Sequence, residues 1–449
     1  MRVNWVTDMA NYRNKKTNQM QELQYRILFV LFAVVVFRVG AHIPLPGIDL
    51  DQLSQLFQDN RNNAILGYFD MFTGGALSNM SLLSLGIMPY ISSSICMQFL
   101  SYSIPSLEEM RKHGGEAGRQ KINQYTRQLT LLISLVQGFG ISKMIAANSM
   151  VILPIYEFYF LTVISLTTGT MFMMWLGDQI TRYGIGNGIS ILIFSGIVSR
   201  FPEAFGKLMS QARQGQTSFA VIGFVFLLMV AVIVFIVYME RAQRQLHLTY
   251  PKRQQGARMS MQSNSKLPLK INMVGIYPPI IAQTLIFFPA SALDFFALSE
   301  RYTLVRQLRY FVQPGEPLYM ILYVSLVMVF AYYLTALFHD SNDIAKHLKR
   351  QGALIGGIRP GHYTAKYIDT IMTKLTFFGG LYLAFVSILP DIVIRFLHIP
   401  LLFGGTSLLI AVVCVMDVMS QIQTYLLPGV QSAMPSGTGS PNNKLKLLR

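Results

Sequence analysis

Ten stretches of apolar residues alternate with polar segments along this chain. They run over 23–42, 77–101, 125–146, 154–176, 185–200, 218–239, 272–292, 317–338, 371–390 and 401–427. Most approach the roughly 20 residues that a helix needs to cross a hydrocarbon core. The pattern predicts an all-α polytopic membrane protein of ten spans, with no soluble module. The first 22 residues are polar, and no small-residue cleavage site follows the first span, so that span reads as a retained anchor.

Two of the spans are interrupted in the same way, half a sequence apart. One carries Gly86-Ile-Met-Pro-Tyr-Ile91 and the other Gly275-Ile-Tyr-Pro-Pro-Ile280. A proline inside a helix removes a hydrogen bond and crowds the preceding turn. Lipid cannot satisfy the freed backbone, so a broken span faces protein or a water-filled cavity. Matched breaks point to a central pathway between related repeats. The halves are spans one to five (23–200) and six to ten (218–427). Five is odd, so the second half enters the membrane from the opposite side. Two ordinary proline kinks are the competing reading.

Residues 61–76 stand apart. Ile65, Leu66, Phe69 and Phe72 follow helical spacing and precede Gly74-Gly75. The segment is too short to span. By itself it reads as an amphipathic helix on the membrane surface, hinged on two glycines.

Composition changes the picture little: 52% of the 449 residues are hydrophobic and 13% charged, too apolar for a soluble chain of this length. Charge adds orientation. Of 37 Lys and Arg, 24 fall in one alternate set of polar segments and nine in the other. The positive-inside rule then places both termini, and the tail 428–449, in the cytoplasm. Two segments of that set are long and basic. Residues 240–271 hold Arg241, Arg244, Lys252, Arg253, Arg258, Lys266 and Lys270 against Glu240, and read as a projecting arm. Residues 339–370 end in Gly357-Ile-Arg359-Pro360-Gly361, a shaped turn with an arginine at its tip. Cationic loops on this side satisfy the positive-inside rule without further purpose, but about 30 residues exceeds what connection needs.

Candidate chemistry is sparse. No phosphate loop, zinc-protease helix or nucleophile elbow occurs. The residues imply no enzyme, cofactor or metal site. Gly184-Ile-Gly-Asn-Gly188 lacks a preceding strand and reads as a tight turn. Cys96 and Cys414 fall inside spans and read as small apolar residues. Arg38 sits near the outer end of span one, where it can snorkel. Asp417 has no evident basic partner. Without acidic residues repeated at mid-depth, an ion-coupled solute transporter is disfavoured. The breaks carry Ile87, Ile91, Ile276, Ile280 and Ile281 instead. Converging isoleucines form a constriction that gates by excluding water, or else they simply pack helices.

Ordered motifs along the chain resemble the bacterial-type SecY family. They include Pro44-Leu-Pro-Gly-Ile-Asp49, Met71-Phe-Thr-Gly-Gly-Ala-Leu77, Leu85-Gly-Ile-Met-Pro-Tyr-Ile-Ser92, Gly184-Ile-Gly-Asn-Gly-Ile-Ser190, Lys252-Arg-Gln-Gln-Gly256, Gly357-Ile-Arg-Pro-Gly361 and Phe403-Gly-Gly-Thr-Ser-Leu-Leu-Ile410. The resemblance implies two inverted five-helix halves around an hourglass pore. It implies a channel that exports unfolded proteins and releases hydrophobic segments into the bilayer. Ile87, Ile91, Leu192, Ile280 and Ile410 would form the pore ring, with Ile191 as the rival of Leu192. Residues 61–72 would be the plug, which reverses the surface reading. Spans two, three, seven and eight would form the lateral gate. Arg241, Arg253, Arg258, Arg359, Pro360 and Gly361 would dock the SecA motor or the ribosome. Small SecE and SecG subunits, preproteins with signal sequences, and the phospholipid of a bacterial inner membrane are the other implied partners. Pro279 and Pro251 depart from the family pattern.

Overall fold

The computed structural model describes residues 5–48, 70, 72–147, 151–215, 218–249, 254–255, 258–259, 264–295, 316–397 and 404–426. The first half comprises α1 (Trp5–Gly40), α2 (Met88–Ser103), α3 (Pro105–His113), α4 (Gly115–Ala147), α5 (Ile155–Tyr183), α6 (Gly188–Ser199) and α7 (Phe201–Arg213). The second begins with α8 (Phe219–Arg241), β1 (Gln243–Thr249), β2 (Gln254–Gln255), β3 (Arg258–Met259) and β4 (Asn264–Lys270). It continues with α9 (Tyr277–Phe295), α10 (Pro317–Phe338), α11 (Ser341–Gln351), β5 (Leu354–Ile355), α12 (His362–Leu397) and α13 (Gly405–Leu426). Each of the ten expected stretches carries helix. Among the described residues, eight helical segments are long and apolar enough to cross a membrane. The two stretches outside that set are the two interrupted ones, carried by α2 and α9.

The interruptions are helix starts, not kinks. Residues 77–87 form turns, with Met80 at φ 38° and Gly86 at φ 56°. α2 then begins with Pro89 in its first turn, where the missing N–H has no intrahelical acceptor to lose. Gly275 lies at φ 69°, and α9 begins with Pro278 and Pro279 in its first turn. The expected span 77–101 is thus half turn and half helix.

Irregular backbone inside a membrane protein needs partners, and the two breaks find them differently. At the first, the Ser84 hydroxyl donates to the Ala76 and Ser81 carbonyls (2.9 and 2.5 Å). The Leu45 amide donates to the Met80 carbonyl, and the Leu82 amide to that of Ile43. At the second, Asn272 accepts from the Gly275 amide (3.0 Å) and donates to the Gly275 carbonyl (3.2 Å). Its amide also donates to the buried Glu240 carboxylate at 2.6 Å. Glu240 is therefore not a loop charge but a buried support for the second break. Asn272→Leu would strand the Gly275 amide and take from the buried Glu240 carboxylate its 2.6 Å donor. We expect it to cost about 2–4 kcal/mol, read as a lowered midpoint of thermal denaturation in detergent. Glu240→Gln keeps an acceptor for Asn272 and should cost less than about 1 kcal/mol.

The two long basic segments form one body. β1 pairs antiparallel with β4, from Gln243↔Lys270 to Thr249↔Asn264. β5 takes the other edge through Leu248↔Ile355 and Thr249↔Leu354, giving the order β4-β1-β5. Leu248 and Ile355 pack with Leu348, Ile368 and Met372 from α11 and α12. Asp340 caps the start of α11 by accepting from the Asn342 amide at 2.8 Å, and Gly352 ends it at φ 71°. The arm expected to project thus has a stem anchored to the second basic segment.

Candidate functional site: pore ring, hinge, seam and basic face

The main apolar core draws on α1, α2, α5, α6, α8, α9, α10, α12 and α13. All five expected ring residues lie in it. Ile87 precedes the first turn of α2, Ile91 follows on the same helix, Leu192 is on α6, Ile280 starts α9 and Ile410 is on α13. Ile87, Leu192 and Ile410 are 5%, 1% and 0% exposed, and Ile91 and Ile280 are half-buried at the margin of the same cluster. Both helix breaks therefore deliver their isoleucines to one cluster. Ile191 is buried in it as well.

Of the expected plug residues, Ile65, Leu66 and Phe69 lie outside the described residues. Phe72 is 8% exposed and belongs to the ring's cluster, which overturns a membrane-surface position for this end of the segment. Gly74 and Gly75, the pair expected to act as a hinge, stand at φ 69° and 90°, backbone that favours glycine. A Cβ on Gly74 would sit 2.8 Å from the Gly196 Cα, so the glycine pair lies directly on α6. Arg200, between α6 and α7, pairs with Asp70 and with Glu203 and donates to the Ser78 hydroxyl at 2.7 Å. Asp70 also accepts from the Ser78 amide at 2.7 Å. Burial pushes its carboxyl above the usual value, opposed by the Arg200 charge and the Ser78 bonds. Arg38 does not simply snorkel; its guanidinium donates to the Gly74 carbonyl at 3.0 Å. Sequence reading missed this anchor, although an acid four residues before two glycines was its visible signal.

The expected gate helices are α2, α4, α9 and α10. α9 packs on α10 and touches α4 and α2. α2 also meets α10 through rings: Phe99 stacks on Tyr333 with centroids 5.1 Å apart and meets Phe330 edge-on at 6.0 Å.

Arg241 is exposed at the end of α8, and Arg359 and Pro360 are exposed in the turn after β5, with Gly361 half-buried at φ 111°. The Thr364 hydroxyl donates to the Arg359 carbonyl at 2.9 Å and fixes that turn to α12. Arg253 lies outside the described residues. Arg258 lies in β3, paired with Gln255, and its side chain is likewise outside them. Two other expectations change. Cys96 is exposed on α2, while Cys414 is buried. Asp417 does have a cation in range, Lys270 at the end of β4.

Taken together these features define a multi-pass helical membrane protein with two broken helices and an apolar centre. Solved structures share that fold. A protein-conducting channel aligns with TM-score 0.63 at 20% identity, covering 91% of this chain and 94% of that one. Sec61 from a canine ribosome–channel complex of the endoplasmic reticulum aligns with TM-score 0.60 at 18% identity, over 91% and 94% of the two chains. The SecY family model matches residues 81–419. Protein translocase subunit SecY of Escherichia coli K12 is 47% identical over 410 residues, covering 90% of this chain and 92% of that protein. The Pseudomonas aeruginosa subunit is 46% identical over 409 residues, covering 91% and 92%. The chain belongs to the SecY family, a family of translocase subunits and not of enzymes.

Proposed function

We propose that this chain is the protein-conducting subunit of a bacterial translocase, with a pore closed by Ile87, Ile91, Leu192, Ile280 and Ile410. The convergence of these residues from two helix breaks and two further helices on one apolar cluster carries the reading. An apolar ring offers no fixed hydrogen bonds, so it suits an unfolded chain of any sequence. Segment 61–72 closes the outer funnel, held at its hinge by Arg38 and Arg200. A SecY of solved structure has a plug domain that stabilises its closed state and maintains a membrane seal. Signal sequences leave sideways between α2 and α4 on one side and α9 and α10 on the other. The chain sits in the inner membrane with both termini cytoplasmic, and SecE and SecG complete the complex. A photocrosslinker at Ile91 should capture a stalled secretory precursor only with a signal sequence, motor and ATP. Capture of nothing, with the motor bound and active, would return the ring residues to a packing role.

The sheet-anchored basic face receives the SecA motor or the ribosome. Sec61 has been solved on a ribosome, which fits a face of this kind. Arg359→Glu reverses an exposed charge on a fixed turn, so the fold should be unaffected. We expect motor-driven export to fall about tenfold or more while the complex still assembles. Loss of assembly in that variant would remove Arg359 from docking.

A further inference from the structure

The contact between α2 and α10 is built more specifically than helix packing requires. On α2, Phe99 and Tyr102 are three residues apart and share a face. On α10, Phe330, Tyr333 and Leu337 follow at helical spacing and form the facing stripe. Phe99 sits against Phe330 and Tyr333. One turn further on, the Tyr102 hydroxyl donates to the Leu337 carbonyl at 3.2 Å. That carbonyl lies in the last turn of α10, where helix geometry provides no N–H for it. The third tier is ionic. The Arg111 guanidinium of α3 stands 3.5 Å from the centroid of the Tyr102 ring, at cation–π distance. Tyr333 lies within electrostatic range of the same guanidinium. α3 follows α2 after a single residue, Ile104, whose carbonyl accepts from the Leu107 and Glu108 amides. Arg111 is thereby carried to the end of the α2–α10 contact by a short, fixed connection.

We infer that Tyr102 and Arg111 bolt the mouth of this seam, and that the bolt sets how apolar a signal segment must be to part α2 from α10. The inference rests on the lateral exit proposed above. A segment moving from the pore to lipid must separate these helices, breaking the Tyr102–Leu337 bond and the Arg111–Tyr102 stack. Its own transfer into lipid drives the separation, so seam strength and segment hydrophobicity trade against each other. Neither residue lines the ring or the basic face.

The test uses the full complex in vesicles and precursors whose signal cores carry rising numbers of leucines. Tyr102→Leu removes both the bond and the stack, and Arg111→Met removes the stack alone. Tyr102→Phe keeps the ring and loses only the bond. An about tenfold gain in the open-to-closed ratio corresponds to 1.4 kcal/mol. With each central leucine contributing about 0.5 kcal/mol on insertion scales, the threshold should fall by about three leucines for Tyr102→Leu. Arg111→Met and Tyr102→Phe should each give part of that shift, and Arg111→Lys should give least. A second arm carries Phe99→Cys with Tyr333→Cys in a chain whose Cys96 and Cys414 are serine. A reducible bis-thiol crosslinker long enough to span the gap left by the two rings should block insertion when it joins that pair, and reduction should restore it. If the crosslink blocks insertion but the threshold stays put in assembled Tyr102→Leu and Arg111→Met, the bolt is overturned and the exit route stands. If the crosslinked pair still inserts, the exit route fails and the bolt with it.

Discussion

Gly169→Ala is expected to remove most of the correctly assembled protein from the membrane. A Cβ at this position in α5 would lie 2.0 Å from the Leu82 carbonyl oxygen and 2.9 Å from its carbon. Both atoms are backbone, so no rotamer change relieves the clash. Nor can the peptide retreat easily. The Leu82 amide donates to the Ile43 carbonyl at 3.0 Å, and the Leu83 amide is held by the Ser81 hydroxyl. The turns leading to the first break are thus pressed against α5, and only glycine permits that approach. Restoring ordinary contact means moving α5 or the break by more than an ångström in a close-packed interior. The cost is about 3 kcal/mol or more, enough to decide whether a marginally stable chain survives quality control. Gly223→Ala is the matched control. It lies in α8 with nothing within 4 Å of its Cβ. Alanine there should be neutral or stabilising by up to about 1 kcal/mol. Abundance and thermal midpoint of the two variants in the same membrane decide the matter. Normal levels of Gly169→Ala would show that the turns before α2 yield more than their hydrogen bonds suggest.

The clash at Gly169 also shows what a sequence can and cannot say about such a fold. The spans and matched breaks are legible because length, apolarity and proline act locally. The isoleucines at the breaks are legible as a candidate set because they sit there, whereas Leu192 and Ile410 join the proposed ring only through the family resemblance. What escapes is the choice of distant partner. Asn272 and Ser84 look like ordinary polar residues near span ends, yet each holds irregular backbone in place. Glu240 reads as a loop charge because it adjoins Arg241, but it turns inward to Asn272. Arg38 finds the Gly74 carbonyl, and Asp70 finds Arg200 across 130 residues. The periodicity of residues 61–72 marks an apolar face without saying what covers it. The burial of Phe72 in the central cluster rules out a surface position for that end of the segment.

Placing asparagine at both Ile91 and Ile280 is expected to open a resting ion leak through the assembled channel. In the proposed ring these two members are half-buried, while Ile87, Leu192 and Ile410 are almost fully buried. A narrow aliphatic constriction is closed to ions because water in it has too few hydrogen-bond partners. Two carboxamides supply such partners. Each also costs about 1–3 kcal/mol if left dry and unpaired, so the dry state loses stability while the wet state gains it. Even 1.4 kcal/mol in favour of wetting multiplies the conducting population about tenfold. The comparison is Ile91→Leu with Ile280→Leu, which keeps volume and apolarity and should leave the barrier intact. Single-channel recording in planar bilayers, without precursor or motor, separates the cases. A leak in the asparagine pair but not in the leucine pair assigns the barrier to the chemistry of the ring. Equal, low conductance in both, with the complex assembled, would mean that these isoleucines hold helices together and that the barrier lies elsewhere along the path.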